Sequence, residues 1–143
     1  MAFDFWTDLA RPLGISAVVG VWLYHKGKRD SSCRALIEYI DSMAEKGVEY
    51  WSTPESEERA KLLASQIKQL SARIGRELVD LSGTYYSFRF KKQNFSLVTA
   101  FRQSITSNPF EVTGRQIDRN RATTIERRRA ELVRGVRKAQ KLI

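Results

Sequence analysis

STPESEERAKLLASQIKQLSARIGRELVDLSG, residues 52–83, is the stretch whose reading decides the fold. Leu63, Ile67, Leu70, Ile74, Leu78 and Leu81 recur at intervals of three and four, the heptad-like spacing of a single helix face. Its start carries helix-opening chemistry: Thr53 stands as a cap, Pro54 in the first helical position, and Glu55, Glu57 and Glu58 near the positive end of the helix. Gly83 supplies a C-terminal stop. The sequence therefore predicts a long amphipathic helix from Thr53 to Gly83.

Upstream, Cys33, Leu36, Ile37, Ile40, Met43 and Ala44 repeat with the same period, behind a cap at Asp30 or Ser31 and with an end near Gly47 or Trp51. Two apolar-faced helices joined by a short turn predict an antiparallel helical hairpin. Downstream, Tyr85, Tyr86, Phe88 and Phe90 are interleaved with Arg89, Lys91 and Lys92. Their alternation has no partner strand elsewhere, so residues 84–94 are expected to form an aromatic connection or a helix extension. Base stacking beside cations is the functional use of such residues, and filling a helix seam or lying at a membrane interface is the commoner one. Phe95, Val98, Phe101 and Ile105 mark another helix face. Asn108-Pro109-Phe110-Glu111 has a capping-box pattern that opens the last helix. Gly114 interrupts that helix before Ile117, Ile125, Leu132, Val136 and Ile143 continue its apolar stripe.

The N-terminal segment has another character. FDFWTDLARPLGISAVVGVWLY, residues 3–24, is followed at once by the basic HKGKR. The uncharged run 12–25 would span roughly 21 Å as helix, short of a hydrocarbon core of about 30 Å. Counted from Phe5 to Tyr24 the length is sufficient, with Asp8 and Arg11 three apart and able to pair. Phe5, Trp6, Trp22 and Tyr24 stand where interfacial aromatics belong, and Lys26, Lys28 and Arg29 form a cationic flank. A transmembrane helix is therefore expected, with the N-terminus outside and the remainder in the cytoplasm by the positive-inside rule. The acidic residues Asp4 and Asp8 and the missing cleavage pattern speak against a removed signal peptide. Ser16 and Gly20 make a small-xxx-small step for a helix–helix contact within the bilayer.

Composition suits a globular remainder: 42% of residues are hydrophobic and 29% charged, which argues against general disorder. The expected organisation is a single-pass anchor, residues 1–29, and one cytoplasmic domain, residues 30–143. The fold class is all-α, an N-terminal transmembrane helix followed by a small helical bundle or hairpin with a long basic C-terminal helix. Such a layout is similar to that of many small bacterial inner-membrane proteins. From Gly114 onward ten basic residues stand against three acidic ones, +7 of the chain's +9. Arg119, Arg127, Arg128, Arg129, Arg134, Arg137 and Lys138 are the candidates for contact with an anionic surface, lipid headgroup or nucleic acid.

Catalysis finds little support. His25 is the single histidine and Cys33 the single cysteine, and no metal-ligand spacing, phosphate loop or nucleophile elbow is present. No cofactor or metal is expected. The sequence points to a non-enzymatic membrane-anchored protein whose helical domain binds a protein partner or itself. One alternative is a nucleic-acid-binding protein using the basic C-terminal helix, and another is an oligomerising membrane-active effector.

Overall fold

A computed structural model describes the backbone of residues 11–82 and 87–141, with side chains over 14–81 and 94–141. These residues form four α-helices, α1 (Arg11–Ser52), α2 (Glu58–Ser82), α3 (Ser87–Thr106) and α4 (Asn120–Lys141), and no strand. The all-helical expectation holds. The chain divides into two compact units, Met1–Ser32 and Cys33–Ile143.

Three boundaries differ from the sequence expectation. Neither Asp30 nor Ser31 caps a helix, because α1 runs through both. No proline interrupts residues 26–34, and the lone Gly27 there costs only about 1 kcal/mol of helix propensity, too little to stop so long a helix. Thr53 does not open α2, which begins at Glu58. Its hydroxyl donates instead to the Glu49 carbonyl at 2.7 Å and closes the end of α1. The Asn108–Glu111 pattern opens no helix either, since residues 107–119 form turns and α4 starts at Asn120. Asp118 is the cap in use: its Oδ1 accepts from the backbone N–H groups of Asn120 at 3.1 Å and Arg121 at 3.3 Å. Of residues 84–94, those from Ser87 belong to α3, a helix extension and not a strand; Gly83, Tyr85, Tyr86 and Ile143 lie outside the described residues.

The second unit is a bundle of antiparallel neighbours. The end of α1 meets the start of α2 through Glu49 and Arg59, while Arg73 further along α2 lies over the ring of Tyr39. On α3 and α4, Asn94 and Leu97 oppose Gly135, whereas Ser107 and Asn108 beyond the other end of α3 oppose Arg121. A Cβ at position 135 would lie 2.5 Å from Asn94 Oδ1 and 2.7 Å from Leu97 Cδ1, so glycine admits the close approach of these helices. Gly47 does the same for α1 against Ile105.

The α2 row predicted from the sequence points inward: Leu63, Ile67, Leu70, Ile74 and Leu81 are buried and Leu78 is partly so. Cys33, Leu36, Ile40, Met43 and Ala44 of α1 and Ile125, Leu132 and Val136 of α4 close the core with Val98, Phe101 and Ile105 of α3. Phe95 departs from expectation, being 63% exposed, and Asn94 occupies the buried place beside Val98. Positions 94, 98, 101 and 105 keep the helical period through the core, so Phe95 falls on the flank. Ile117 is likewise exposed, because it precedes α4 in the turn segment.

Trp51 joins three elements at the bundle's end. Its indole N–H donates to the Ile105 carbonyl at 2.9 Å, a group left without an intrahelical donor by the end of α3. The last carbonyls of α1 are satisfied in the same region: Val48 accepts from Ser52, Tyr50 from the Thr53 N–H and from Arg115, and Trp51 from the Asp118 N–H. Arg115 is buried with its guanidinium 4.0 Å from the Tyr50 ring centroid and 5.4 Å from that of Trp51. Arg121 covers Trp51 at 4.0 Å and donates to the carbonyls of Ser107 and Asn108. Glu111 holds a left-handed φ of 56°, fixed by the Tyr50 hydroxyl accepting its N–H and by Lys68 pairing with its carboxylate.

Candidate interaction surfaces

Two surfaces have a composition that solvent exposure alone does not explain. The first is the N-terminal part of α1. Ile15, Val18, Val19, Val21, Trp22, Leu23 and Tyr24 are all exposed, Val18 by 70%. At about 100° per residue their positions cover the whole circumference of the helix, so no polar stripe faces water. Ser16 and Gly20 are exposed too, with open space around Gly20. Lys26 places its ammonium 5.1 Å from the Trp22 ring centroid, and Tyr24 meets the exposed His25 edge to face.

The expected membrane span is corrected here. Among the described residues no helix is long and apolar enough to cross a membrane. The uncharged run ends at Arg11 on one side and Lys26 on the other, and about 14 residues of helix reach only two thirds of the hydrocarbon thickness. Phe5 and Trp6, which were to complete the span, lie outside the described residues. Lys26 and Lys28 are exposed, but Arg29 is buried and approaches Asp30 at 3.9 Å, so it is not a free member of the cationic flank.

The second surface is the groove between α1 and α4 in the second unit. The two helices run antiparallel, with Val48 near Ala122 at one end and Asp41 against Arg129 in the middle. On the side of the α4 N-terminus a concavity of about 630 Å³ is lined by Glu45, Val48, Ala122, Thr123 and Glu126. On the opposite side one of about 590 Å³ is lined by Val133, Arg134, Arg137, Lys138 and Lys141. Asp41 and Arg129 border both.

The predicted basic residues separate into two groups. Arg128 pairs with Glu131 at 3.0 Å, and Arg129 bridges Glu126 at 2.9 Å and Asp41 at 3.1 Å. The Glu126 hydrogen bond, followed by that to Asp41, raises the Arg129 guanidinium above its ordinary pKa despite some desolvation. Arg134, Arg137, Lys138 and Lys141 are exposed and form no ion pair among the described residues. Arg119 is exposed ahead of α4, and Arg127 is exposed on the helix. The charge count from Gly114 onward thus overstates the free cation surface, because Arg115 is consumed by the Tyr50–Trp51 junction and Arg121 by the turn carbonyls. Sequence reading missed Asp41 and Glu45 as members of the groove, since only the antiparallel placement of α1 brings them beside α4.

No group of three or more metal-ligating side chains is assembled among the described residues, and Cys33 is buried. Partly buried Arg102 donates to the Ser71 carbonyl at 2.6 Å and so ties α3 to α2, and desolvation lowers its pKa from the ordinary value. No family model, curated protein or solved structure matches the chain.

Proposed function

We propose that this chain is a non-enzymatic, membrane-anchored helical protein: residues 12–25 are embedded in lipid, and the unit from Cys33 onward binds protein. The observation that carries the reading is the all-round apolar exposure of α1 between Ile15 and Tyr24. Burying seven such side chains at about 1.5 kcal/mol each is worth roughly 10 kcal/mol, enough to hold a chain on a bilayer. Trp22, Tyr24 and Lys26 then sit at the headgroup level, with aromatic rings and an ammonium on the same short stretch. Ser16 and Gly20 suit close approach of a second embedded helix.

Alkaline carbonate extraction of membranes containing the full chain tests the reading. Retention in the pellet and release only by detergent are expected. Monodisperse protein recovered without detergent would refute it. A second reading, nucleic-acid binding through α4, draws on the exposed cations Arg134, Arg137, Lys138 and Lys141. It requires binding that falls steeply with salt and is lost with Arg134→Glu.

A further inference from the structure

Four cations remain unspent on one stripe of α4. Arg137, Lys138 and Lys141 follow Arg134 by three, four and seven positions, so the four share one helix face within about 11 Å of its length. All four line the concavity of about 590 Å³, are exposed and form no ion pair among the described residues. Asp41 and Arg129, also on its rim, add no net charge, because Arg129 pairs with Asp41 and with Glu126. The lining therefore presents four positive charges without an acidic group left to balance them. We infer that this face docks on phosphate-bearing lipid headgroups of the bilayer in which residues 12–25 are embedded, so that the helical unit is held on an anionic membrane surface. The inference rests on the proposed lipid burial of the N-terminal part of α1 and names a second point of contact.

The register of the bundle puts these cations at the tethered end of the unit. Val48 lies near Ala122 and Asp41 against Arg129, so the antiparallel register sets Cys33, eight positions before Asp41, level with Arg137, eight positions after Arg129. Glu45 and Glu126 lie toward the other end. Cys33 is where the helical unit begins, nine residues after Tyr24, and nine residues of chain reach at most about 30 Å even fully extended. The basic end is therefore the end through which the chain is tied to Trp22, Tyr24 and Lys26. A cation near an anionic membrane surface gains about fivefold in binding, so four gain several hundredfold, and the tether makes the contact intramolecular. Nucleic acid or an acidic protein would meet the same charge without that tether.

The test uses the full chain reconstituted in vesicles of phosphatidylcholine, alone or mixed with phosphatidylglycerol. A nitroxide is placed at Ala130→Cys, an exposed position one turn before Arg134 on the same concavity, and buried Cys33 in the parent chain is the labelling control. Collisions with a neutral water-soluble nickel complex should fall severalfold in the anionic vesicles relative to the neutral ones and recover at high salt. Arg134→Glu with Lys138→Glu leaves the four positions without net charge and should abolish the difference between the lipids. Arg134→Lys with Arg137→Lys keeps the charge and should preserve it, which separates lost charge from lost folding. Equal collisions in both lipids overturn the inference, and so does equal protection in both, which marks a protein cover. Protection by an added oligonucleotide in neutral vesicles, with none from anionic lipid, overturns it in favour of nucleic acid. Carbonate extraction of the same vesicles keeps the two proposals apart. Retention without lipid-dependent protection leaves the anchor and sinks the docking, whereas extraction of a chain that showed such protection sinks the anchor and leaves the docking.

Discussion

Trp51→Phe should destabilise the helical unit by about 4 kcal/mol, and the amount follows from three losses at one side chain. The indole N–H is the donor found for the Ile105 carbonyl at the end of α3, and a buried orphaned acceptor costs about 1 to 3 kcal/mol. Replacing the indole by phenyl in a fully buried site removes about three heavy atoms and leaves a small cavity, about 2 kcal/mol. The guanidinium groups of Arg115 and Arg121 both face this ring, and weakening those contacts adds about 0.5 kcal/mol. For a unit of this size the thermal midpoint should fall by roughly 10 to 20 °C. Far-ultraviolet circular dichroism of the full chain in detergent reads the transition, with Trp22→Phe as the comparison because Trp22 is exposed. A loss below about 1 kcal/mol, or one equal to that of Trp22→Phe, would refute the junction as described.

Other perturbations separate the core from the surface. Ile67→Ala should cost about 2 to 5 kcal/mol in the same melts, whereas Leu62→Ala on the exposed face of α2 should cost less than about 0.5 kcal/mol; similar losses would mean that the helix faces are wrongly assigned. Arg115→Ala should cost about 2 to 4 kcal/mol by removing two hydrogen bonds, to the carbonyls of Tyr50 in α1 and of Thr53 just beyond it, and the stacking on Tyr50, and a neutral result in urea titration would show that other groups hold the end of α1. Val18→Asp combined with Val21→Asp should make the chain extractable by carbonate, since each change costs about 3 to 4 kcal/mol in lipid against an anchoring energy of roughly 10. Full retention of that double variant would place the segment outside the hydrocarbon.

The helical architecture was legible because Leu63, Ile67, Leu70 and Ile74 keep a period that only a helix can place on one face. Boundaries were less legible because capping residues serve either neighbour. Thr53 and Asn108 have the right chemistry to open a helix, yet Thr53 closes the preceding one and Asn108 lends its carbonyl to Arg121. Phe95 stands apart because hydrophobicity alone does not fix a residue's phase on the helix, and the buried Asn94 keeps the phase of Val98, Phe101 and Ile105. The basic run showed where charge gathers along the chain. It did not show which cations are spent, since Arg115 and Arg129 meet partners more than 60 residues distant in sequence. The groove with Asp41 and Glu45 became visible only when α1 and α4 stood side by side.

The central claim, that the apolar part of α1 is buried in lipid, is tested most directly by collision measurements on a nitroxide at Val18→Cys in the full chain reconstituted in vesicles. Frequent collision with oxygen and little with a water-soluble nickel complex is the predicted result, because oxygen concentrates in hydrocarbon and the complex is excluded from it. Nickel collisions as frequent as at Leu62→Cys, on the exposed face of α2, would place the segment in water, and protection from both reagents would place it in a protein interface; either contradicts the account.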